Sequence, residues 1–427
     1  MKLNRRNLLQ LTAVAPLMGG QTNSANDRIR IGMIGTGARA QELLQALLVL
    51  PGNEIVAVTD AYRGRIERAI ERTGGRAKSY PNHRELLDKA GVDAVVVGTP
   101  DHWHKPIIMD AIAAGKDVYC EKPMTYRSEE GLEIIRAASQ SKRMVQVGSQ
   151  GVSSPLQQKA KELIKSGKLG QVTIIRAAYN RNTASGAWIY PIPPDASPQT
   201  VNWDMFLGPA PKLPFSLERF FRWRCYGDYS GGIATDLFVH LCTTIHFLMD
   251  AKMPSRVVAI GERYRWKNSR DVPDTLNAVL EYPDGFVVNL SSTFNNESSP
   301  EEHLQILGTE GSLVLGGNLS FYPEHAVEDN RWFVESWPSA LEQAYFRNQP
   351  AQHASKVIPG VEQYRQEGPD ATVSHLGHFL DSVRTRRPYW EDAAAGHHAA
   401  ACAHMINRSA RERKMVEWDF QADDIHA

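Results

Sequence analysis

The sequence has little cysteine: Cys120, Cys225, Cys242 and Cys402 are the four in 427 residues, and no two form a CxxC pair. That argues against a zinc knuckle and against a disulfide framework. It also lacks a charge bias. Lys+Arg and Asp+Glu stand at 48 each, so nothing in the balance points to nucleic acid or a membrane surface as a partner. There is no internal repeat, no low-complexity tract, and no apolar run long enough to span a bilayer in the mature protein. No two histidines show helical metal-ligand spacing beside a carboxylate, so His102, His104 and the His397-His398 pair do not suggest a metal centre. What remains is an ordinary apolar content of 42% in a chain too long for one core, which predicts two domains.

The first residues stand apart. Arg5-Arg6 precedes a short apolar run from Leu8 to Met18 and resembles a bacterial twin-arginine (Tat) export signal, with Gln10 where a Lys is usual and no clean Ala-x-Ala site after it. Residues 1–27 are therefore set aside as a signal and linker. The protein is expected to be exported to the periplasm after folding.

Arg28 to Ile34 reads as a strand, followed by Gly35-Thr36-Gly37-Ala38-Arg39-Ala40 and an apolar helix to Leu50. In such a strand–GxGxxA–helix unit the first glycine permits the tight turn and the second lets the backbone approach a pyrophosphate. A small third residue lets helix and strand pack closely. The free N–H groups of the helix start then hold the phosphates. A second strand, Glu54 to Thr59, ends in Asp60, placed to accept from the adenosine ribose hydroxyls; this favours NAD and leaves NADP open. Arg63 and Arg65 read as solvated helix charges, with a 2′-phosphate as the alternative. A strand at Ala77–Tyr80, an Asn82-capped helix, a helix capped by Ser128 and a strand at Arg143–Val147 complete a six-stranded doubly wound domain over 28–150.

Within it, 93–124 is a strand–helix–strand unit. Asp93–Gly98 and Asp117–Cys120 are too apolar to have a wet face, and each ends in a polar cluster: Thr99-Pro100-Asp101-His102-Trp103-His104, and Glu121-Lys122-Pro123. Ligands bind at the carboxyl ends of parallel strands. Thr99, Pro100, His102, His104, Glu121 and Lys122 therefore join Gly35, Thr36, Gly37, Ala38 and Arg39 as expected cofactor contacts.

After 150 the rhythm changes. A helix at Leu156–Ser166 precedes strand-like runs at Val172–Tyr179, Arg256–Arg265, Leu276–Tyr282, Phe286–Thr293, His303–Leu307 and Ser312–Leu315. Hairpin turns at Pro283-Asp284-Gly285 and Gly308–Gly311 predict a mostly antiparallel sheet, with helices on one face and a partner subunit covering the other. Residues 151–427 thus form an α+β domain for substrate binding and homo-oligomerisation. The stretches 185–215 and 320–370 read as functional loops, and helical pattern runs from His375 through Arg413 with a break at Pro388.

Gly231-Gly232 opens a helix carrying Asp236 and His240, four apart and so on one face. A carboxylate beside an imidazole can orient it and shift its pKa, as a general acid/base pair requires; a helix-start Asp and a semi-buried His would share the same spacing.

GxGxxA at Gly35, Glu121-Lys122-Pro123 and Asp236-x-x-x-His240 together resemble the Gfo/Idh/MocA oxidoreductase family, from about Arg28 to Trp418. The resemblance implies an α/β Rossmann domain joined to an open-faced, mostly antiparallel α+β sheet domain that assembles through its sheet. It implies hydride transfer between nicotinamide C4 and a carbinol carbon of a sugar or cyclitol. Lys122 is assigned to the substrate hydroxyl, with Asp236 and His240 completing the catalytic set and the Lys122–Pro123 bond cis. Tyr179, Arg181, Trp188, Trp223 and Tyr226 are candidate sugar contacts, with Trp103, Tyr190 and Tyr229 nearby. The long insertions suggest a glycoside. They also admit a redox-neutral glycoside hydrolase with tightly bound NAD, for which Tyr179, Tyr226 or His102 would supply an extra acid/base. A third alternative is a non-catalytic NAD(H) sensor.

Overall fold

The computed structural model describes residues 28–297, 304–324, 331–348 and 360–422, so the twin-arginine segment lies outside the described residues. The N-terminal domain runs β1 (Ile29–Ile34), α1 (Ala38–Val49), β2 (Asn53–Thr59), α2 (Arg63–Arg72), β3 (Lys78–Ser79), α3 (His83–Lys89), β4 (Ala94–Val97), α4 (His104–Ala113), β5 (Asp117–Cys120), α5 (Glu130–Ser141) and β6 (Val145–Val147). Its six strands are parallel in the order β3-β2-β1-β4-β5-β6. The order reverses between β1 and β4, and the crevice at that switch point receives the loops after β1, β2, β4 and β5. Every residue of β4 and β5 is buried, as expected for the apolar runs Ala94–Val97 and Val118–Cys120, and Asp117 at the start of β5 is buried with them.

Asn82 Oδ1 accepts from Glu85 N at 2.9 Å and caps α3. Ser128 does not cap α5. The helix starts later, and the Glu130 carboxylate accepts from the backbone N–H groups of Tyr126 and Arg127.

The second domain contains α6 (Pro155–Lys165), β7 (Val172–Ala178), α7 (Trp203–Leu207), α8 (Leu217–Phe221), α9 (Val239–Met249), β8 (Arg256–Glu262), β9 (Thr275–Tyr282), β10 (Phe286–Thr293), β11 (Leu304–Gly308), β12 (Gly311–Leu315), β13 (Asn318–Pro323), α10 (Arg331–Val334), α11 (Ser339–Asn348), β14 (Glu362–Arg365), α12 (Ala371–Thr385), α13 (Ala393–Glu412) and β15 (Val416–Glu417). Nine strands form one sheet, β14-β13-β12-β11-β7-β10-β9-β8-β15, antiparallel throughout except for the central β7–β10 pair. Burial alternates strictly along β8, β9 and β10. One face packs under α6, α9 and α13, and the other exposes Val258, Ile260 and Val279.

The described residues of the stretch 320–370 are more regular than a loop reading allows. They include most of β13 and all of β14, whose pairing is set by inward Leu319 and Phe321 and whose pattern is cut short by Pro323. The stretch 185–215 extends to 223 and folds around its own aromatic cluster of Phe206, Phe220, Phe221 and Tyr229.

Although α12 lies 220 residues beyond β6, it belongs to the N-terminal core. Its Leu376, Phe379, Leu380 and Val383 pack with α1 and Tyr119, and Arg386 at its end makes a two-pronged ion pair with buried Asp117 at the start of β5. Phe379→Ala should therefore destabilise the protein by about 3–5 kcal/mol, the usual cost of a buried Phe truncation. Thermal unfolding checks this, and a loss below about 1 kcal/mol would mean that α12 is peripheral to this core.

Candidate active site

The loop after β1 has the geometry of a phosphate cradle. Gly35 has φ +78°, and a Cβ there would come within 2.8 Å of the Gly98 backbone. Gly37 is open, its nearest neighbour being the Arg65 guanidinium at 3.7 Å, and α1 begins there without a side-chain cap. Ala40 fits in place of a third glycine because Gly98 faces it; a Cβ on Gly98 would lie 2.8 Å from that of Ala40. Asp60 ends β2 and braces the loop, accepting from Thr36 N at 2.7 Å and Tyr62 N at 2.9 Å.

A cleft of about 550 Å³ opens above this loop. Gly35, Gly37, Thr99 and Pro100 line its floor, Asp60 and Arg65 lie at one end, and Tyr190, Phe220, Phe221 and Trp223 of the insertion form its roof. Arg39 stands in the wall. Its Nε donates to Glu121 Oε1 at 2.8 Å and its Nη1 to Glu42 at 2.9 Å, while Nη2 is buried with no partner. Burial opposes the guanidinium's charge, but Glu121 more than reverses that and raises its pKa. An orphaned buried N–H donor, an open glycine at a helix start and an acid after β2 together fit a dinucleotide.

Beside the cleft lies a cluster of buried charge. The Lys122–Pro123 bond is cis. Lys122 Nζ donates to Asp236 Oδ1 at 2.9 Å and to the Asp236 carbonyl at 2.8 Å; Arg224 Nε donates to the same Oδ1 at 2.9 Å. Burial alone would raise the Asp236 pKa, but Lys122 and Arg224 overcome it and hold the carboxyl far below the usual range. Asp236 sits in a π-helical turn, Ala234–Phe238, ahead of α9. This widened turn is commonly found at functional sites. It also removes the expected pairing: among the described residues no hydrogen bond joins Asp236 to His240. His240 instead lines an adjoining polar groove of about 1160 Å³ with Tyr179, Asn180 and Gln157. Burial, then the charge of Lys122, keeps its imidazole neutral by lowering its pKa well below the usual value.

The family description "Oxidoreductase family, NAD-binding Rossmann fold" matches residues 29–149, and "GFO/IDH/MocA C-terminal domain" matches residues 157–314. Inositol 2-dehydrogenase 3 of Saccharopolyspora erythraea is 36% identical over 290 residues, covering 67% of this chain and 73% of that protein. The chain belongs to the Gfo/Idh/MocA oxidoreductase family. Inositol 2-dehydrogenase of Serratia proteamaculans is 33% identical over 162 residues, 38% of this chain and 48% of that protein. Levoglucosan dehydrogenase, solved with NADH and levoglucosan, shares the fold at a TM-score of 0.67 and 19% identity, over 91% of this chain and 99% of the other.

Against this Gfo/Idh/MocA frame, several expected contacts fall elsewhere. His104 is a buried brace, its ring nitrogens 2.6 Å from the Pro123 carbonyl and 3.0 Å from that of Thr99, so it ties the loop after β4 to the turn after β5. His102 faces away from the cleft, with Nε2 3.0 Å from the Phe206 carbonyl and its pKa lowered to about 4 by burial. Thr36 is buried and acts through its backbone N–H on Asp60. Trp188 is wholly buried against Phe294 and is core, not a sugar platform. Tyr226 packs under the Arg219 guanidinium, outside both cavities. Arg181 sends a long hydrogen bond to the Gly186 carbonyl at 3.4 Å yet stays within electrostatic reach of His240. Trp223 and Tyr179 line the cleft and the groove as expected. Arg65 is not a solvated charge, since it lies over Phe220 and Phe221, 3.8 Å from Asp60, whereas Arg63 is exposed and pairs with Glu67.

Sequence reasoning did not single out Arg224, whose only sequence signal is the dense aromatic and basic run from Phe220 to Tyr226. It also did not single out Asp101. This carboxyl is buried near Asp236, Lys122 and Arg224, with Oδ2 3.4 Å from Thr235 Oγ1. Burial, then the Asp236 charge, raises its pKa to about 7. A carboxyl raised on folding contributes stability that is complete below its unfolded pKa of about 4 and lost as pH rises through about 7. Asp101→Asn cannot ionise. Its thermal midpoint relative to wild type should therefore be more favourable at about pH 8 than at about pH 5, and an equal difference at both pH values would contradict this assignment.

Proposed function

We propose that the protein transfers hydride between NAD and a carbinol carbon of a sugar, cyclitol or glycoside. The observation that carries this reading is the Lys122–Asp236 ion pair standing at the carboxyl end of β5, beside the dinucleotide cleft. A bound nicotinamide supplies or accepts the hydride at C4. The chain's own residues handle the proton and the charge. Lys122 stabilises the developing alkoxide and can return the proton in the reverse direction. The neutral imidazole of His240 can receive the carbinol proton from the groove side. Asp236 positions Lys122, rather than orienting His240. Asp60 near the ribose end supports NAD, while Arg65 beside it keeps NADP as a variant reading. The inositol and levoglucosan dehydrogenases among the similar proteins support a polyhydroxylated substrate.

The insertion favours a second reading, redox-neutral glycoside hydrolysis by oxidation, elimination, hydration and reduction with NAD retained throughout. Tyr62 and Val201 form a β-bridge, Asn202 N donates to the Ala61 carbonyl at 2.7 Å, and the Tyr62 hydroxyl donates to Asp195. The roof is thereby fastened to the chain just beyond Asp60, where it would slow cofactor release. Of the three groups proposed for an extra proton transfer, only Tyr179 borders the groove with His240. The twin-arginine start supports export, and the exposed Val258, Ile260 and Val279 support pairing of two copies through the open sheet face.

Lys122→Ala and His240→Ala should each lower turnover about a hundredfold or more, the usual scale of positioned acid–base catalysis. NADH affinity, read by fluorescence titration, should change little. Near-wild-type turnover in His240→Ala with loss in Tyr179→Phe would move the proton to the tyrosine and favour the eliminative reading.

A further inference from the structure

Arg224 is the cation of the buried cluster that the hydride chemistry above leaves without a task. It comes from the short turn Trp223–Cys225 in the roof, and its guanidinium lies over the Trp223 ring at 4.2 Å. Its Nε is pinned on Asp236 Oδ1, the same oxygen that takes Lys122. Among the described residues its two terminal nitrogens have no protein acceptor. They are not sealed off either, for the side chain is 23% exposed and lines the cleft with Trp223 and Tyr190.

A guanidinium held by its Nε edge and stacked on an indole presents the other edge as a rigid two-donor fork. That geometry matches a carboxylate, and a neutral hydroxyl uses it poorly. The charge balance points the same way. Two cations share one carboxylate oxygen, and the other carboxyl nearby, Asp101, is pushed by burial towards its neutral form. A buried excess of positive charge is costly unless a ligand answers it.

We infer that Arg224 binds a carboxylate of the substrate, so that the preferred substrate is a sugar acid, free or as a glycoside, and not a neutral sugar or cyclitol. The inference rests on the hydride-transfer reading. Because Lys122 and Arg224 hang on one oxygen of Asp236, the carboxylate and the oxidised carbinol belong to the same sugar ring. The cofactor's own phosphates are the other anion in the cleft, but their cradle is the start of α1, where Arg39 offers its free nitrogen.

The test compares uronates (glucuronate, galacturonate and mannuronate) with the matching hexoses, by equilibrium binding to the NADH-loaded protein and by steady-state kinetics with NAD. Wild type should bind its best uronate about tenfold or more tighter than the matching hexose, the scale of a charge-assisted hydrogen-bond pair. Arg224→Gln should collapse that ratio towards one, and Arg224→Lys should retain part of it. NADH affinity should move less than about threefold in both variants. Equal binding of acid and neutral sugar by wild type would overturn the inference. So would an unchanged ratio in Arg224→Gln accompanied by weakened NADH binding, which would assign Arg224 to the cofactor phosphates. If no sugar is turned over by any variant, the hydride-transfer reading fails, while the binding ratio still decides the role of Arg224.

Discussion

The site depends on one buried carboxylate. Asp236 takes Lys122 from the turn after β5, Arg224 from the insertion, and is itself delivered by the π-helical turn before α9. The turn after β5 is therefore tied through a single oxygen to two segments of the second domain more than a hundred residues on. Both cations are partly withdrawn from water, and the shared carboxylate offsets that desolvation. The same arrangement sets the geometry: Lys122 is tied to Asp236 at the end of β5, and His240, with no hydrogen bond to Asp236 among the described residues, lines the groove.

The cofactor side is built on different physics. There the backbone matters most. Gly35 turns with positive φ, Gly37 leaves the helix start open, and Gly98 yields the space that Ala40 needs. Charge enters through Asp60, which braces the loop beside Arg65, and through Arg39, which Glu121 holds while, among the described residues, its Nη2 has no partner. The roof over this cleft, fastened at Tyr62, links the cofactor and substrate halves, since the turn bearing Arg224 follows directly from it.

Much of this was legible in the sequence wherever backbone geometry or solvent periodicity dictates the residue. The strand–GxGxxA–helix order, the buried β4 and β5, the hairpin at Gly285 and the alternating strands of the second sheet all read correctly. Lys122 stood out as well, because a lysine between a glutamate and a proline at a strand's end is a poor turn, and it is found bonded to Asp236. Tertiary partnerships were not legible. Asp236 and His240 at a four-residue spacing suggest one helical face, and only the π-turn shows that they serve different neighbours. Trp188 and Trp223 look alike in a Pro-rich insertion, yet one is core and the other lines the cleft. His102 and His104 sit beside a strand end, but His102 Nε2 and both ring nitrogens of His104 go to carbonyls of the scaffold. Arg224 and Asp101 carry no motif, and their significance comes from burial next to Asp236.

A double-mutant cycle between Asp236→Asn and Lys122→Ala tests the central claim most directly, with turnover and NADH affinity measured in all four proteins. If Asp236 acts by holding Lys122, each single variant should lose turnover to a similar degree and the double variant should lose little more, with NADH still bound. Losses that multiply in the double variant, or an Asp236→Asn protein with near-wild-type turnover, would contradict the account.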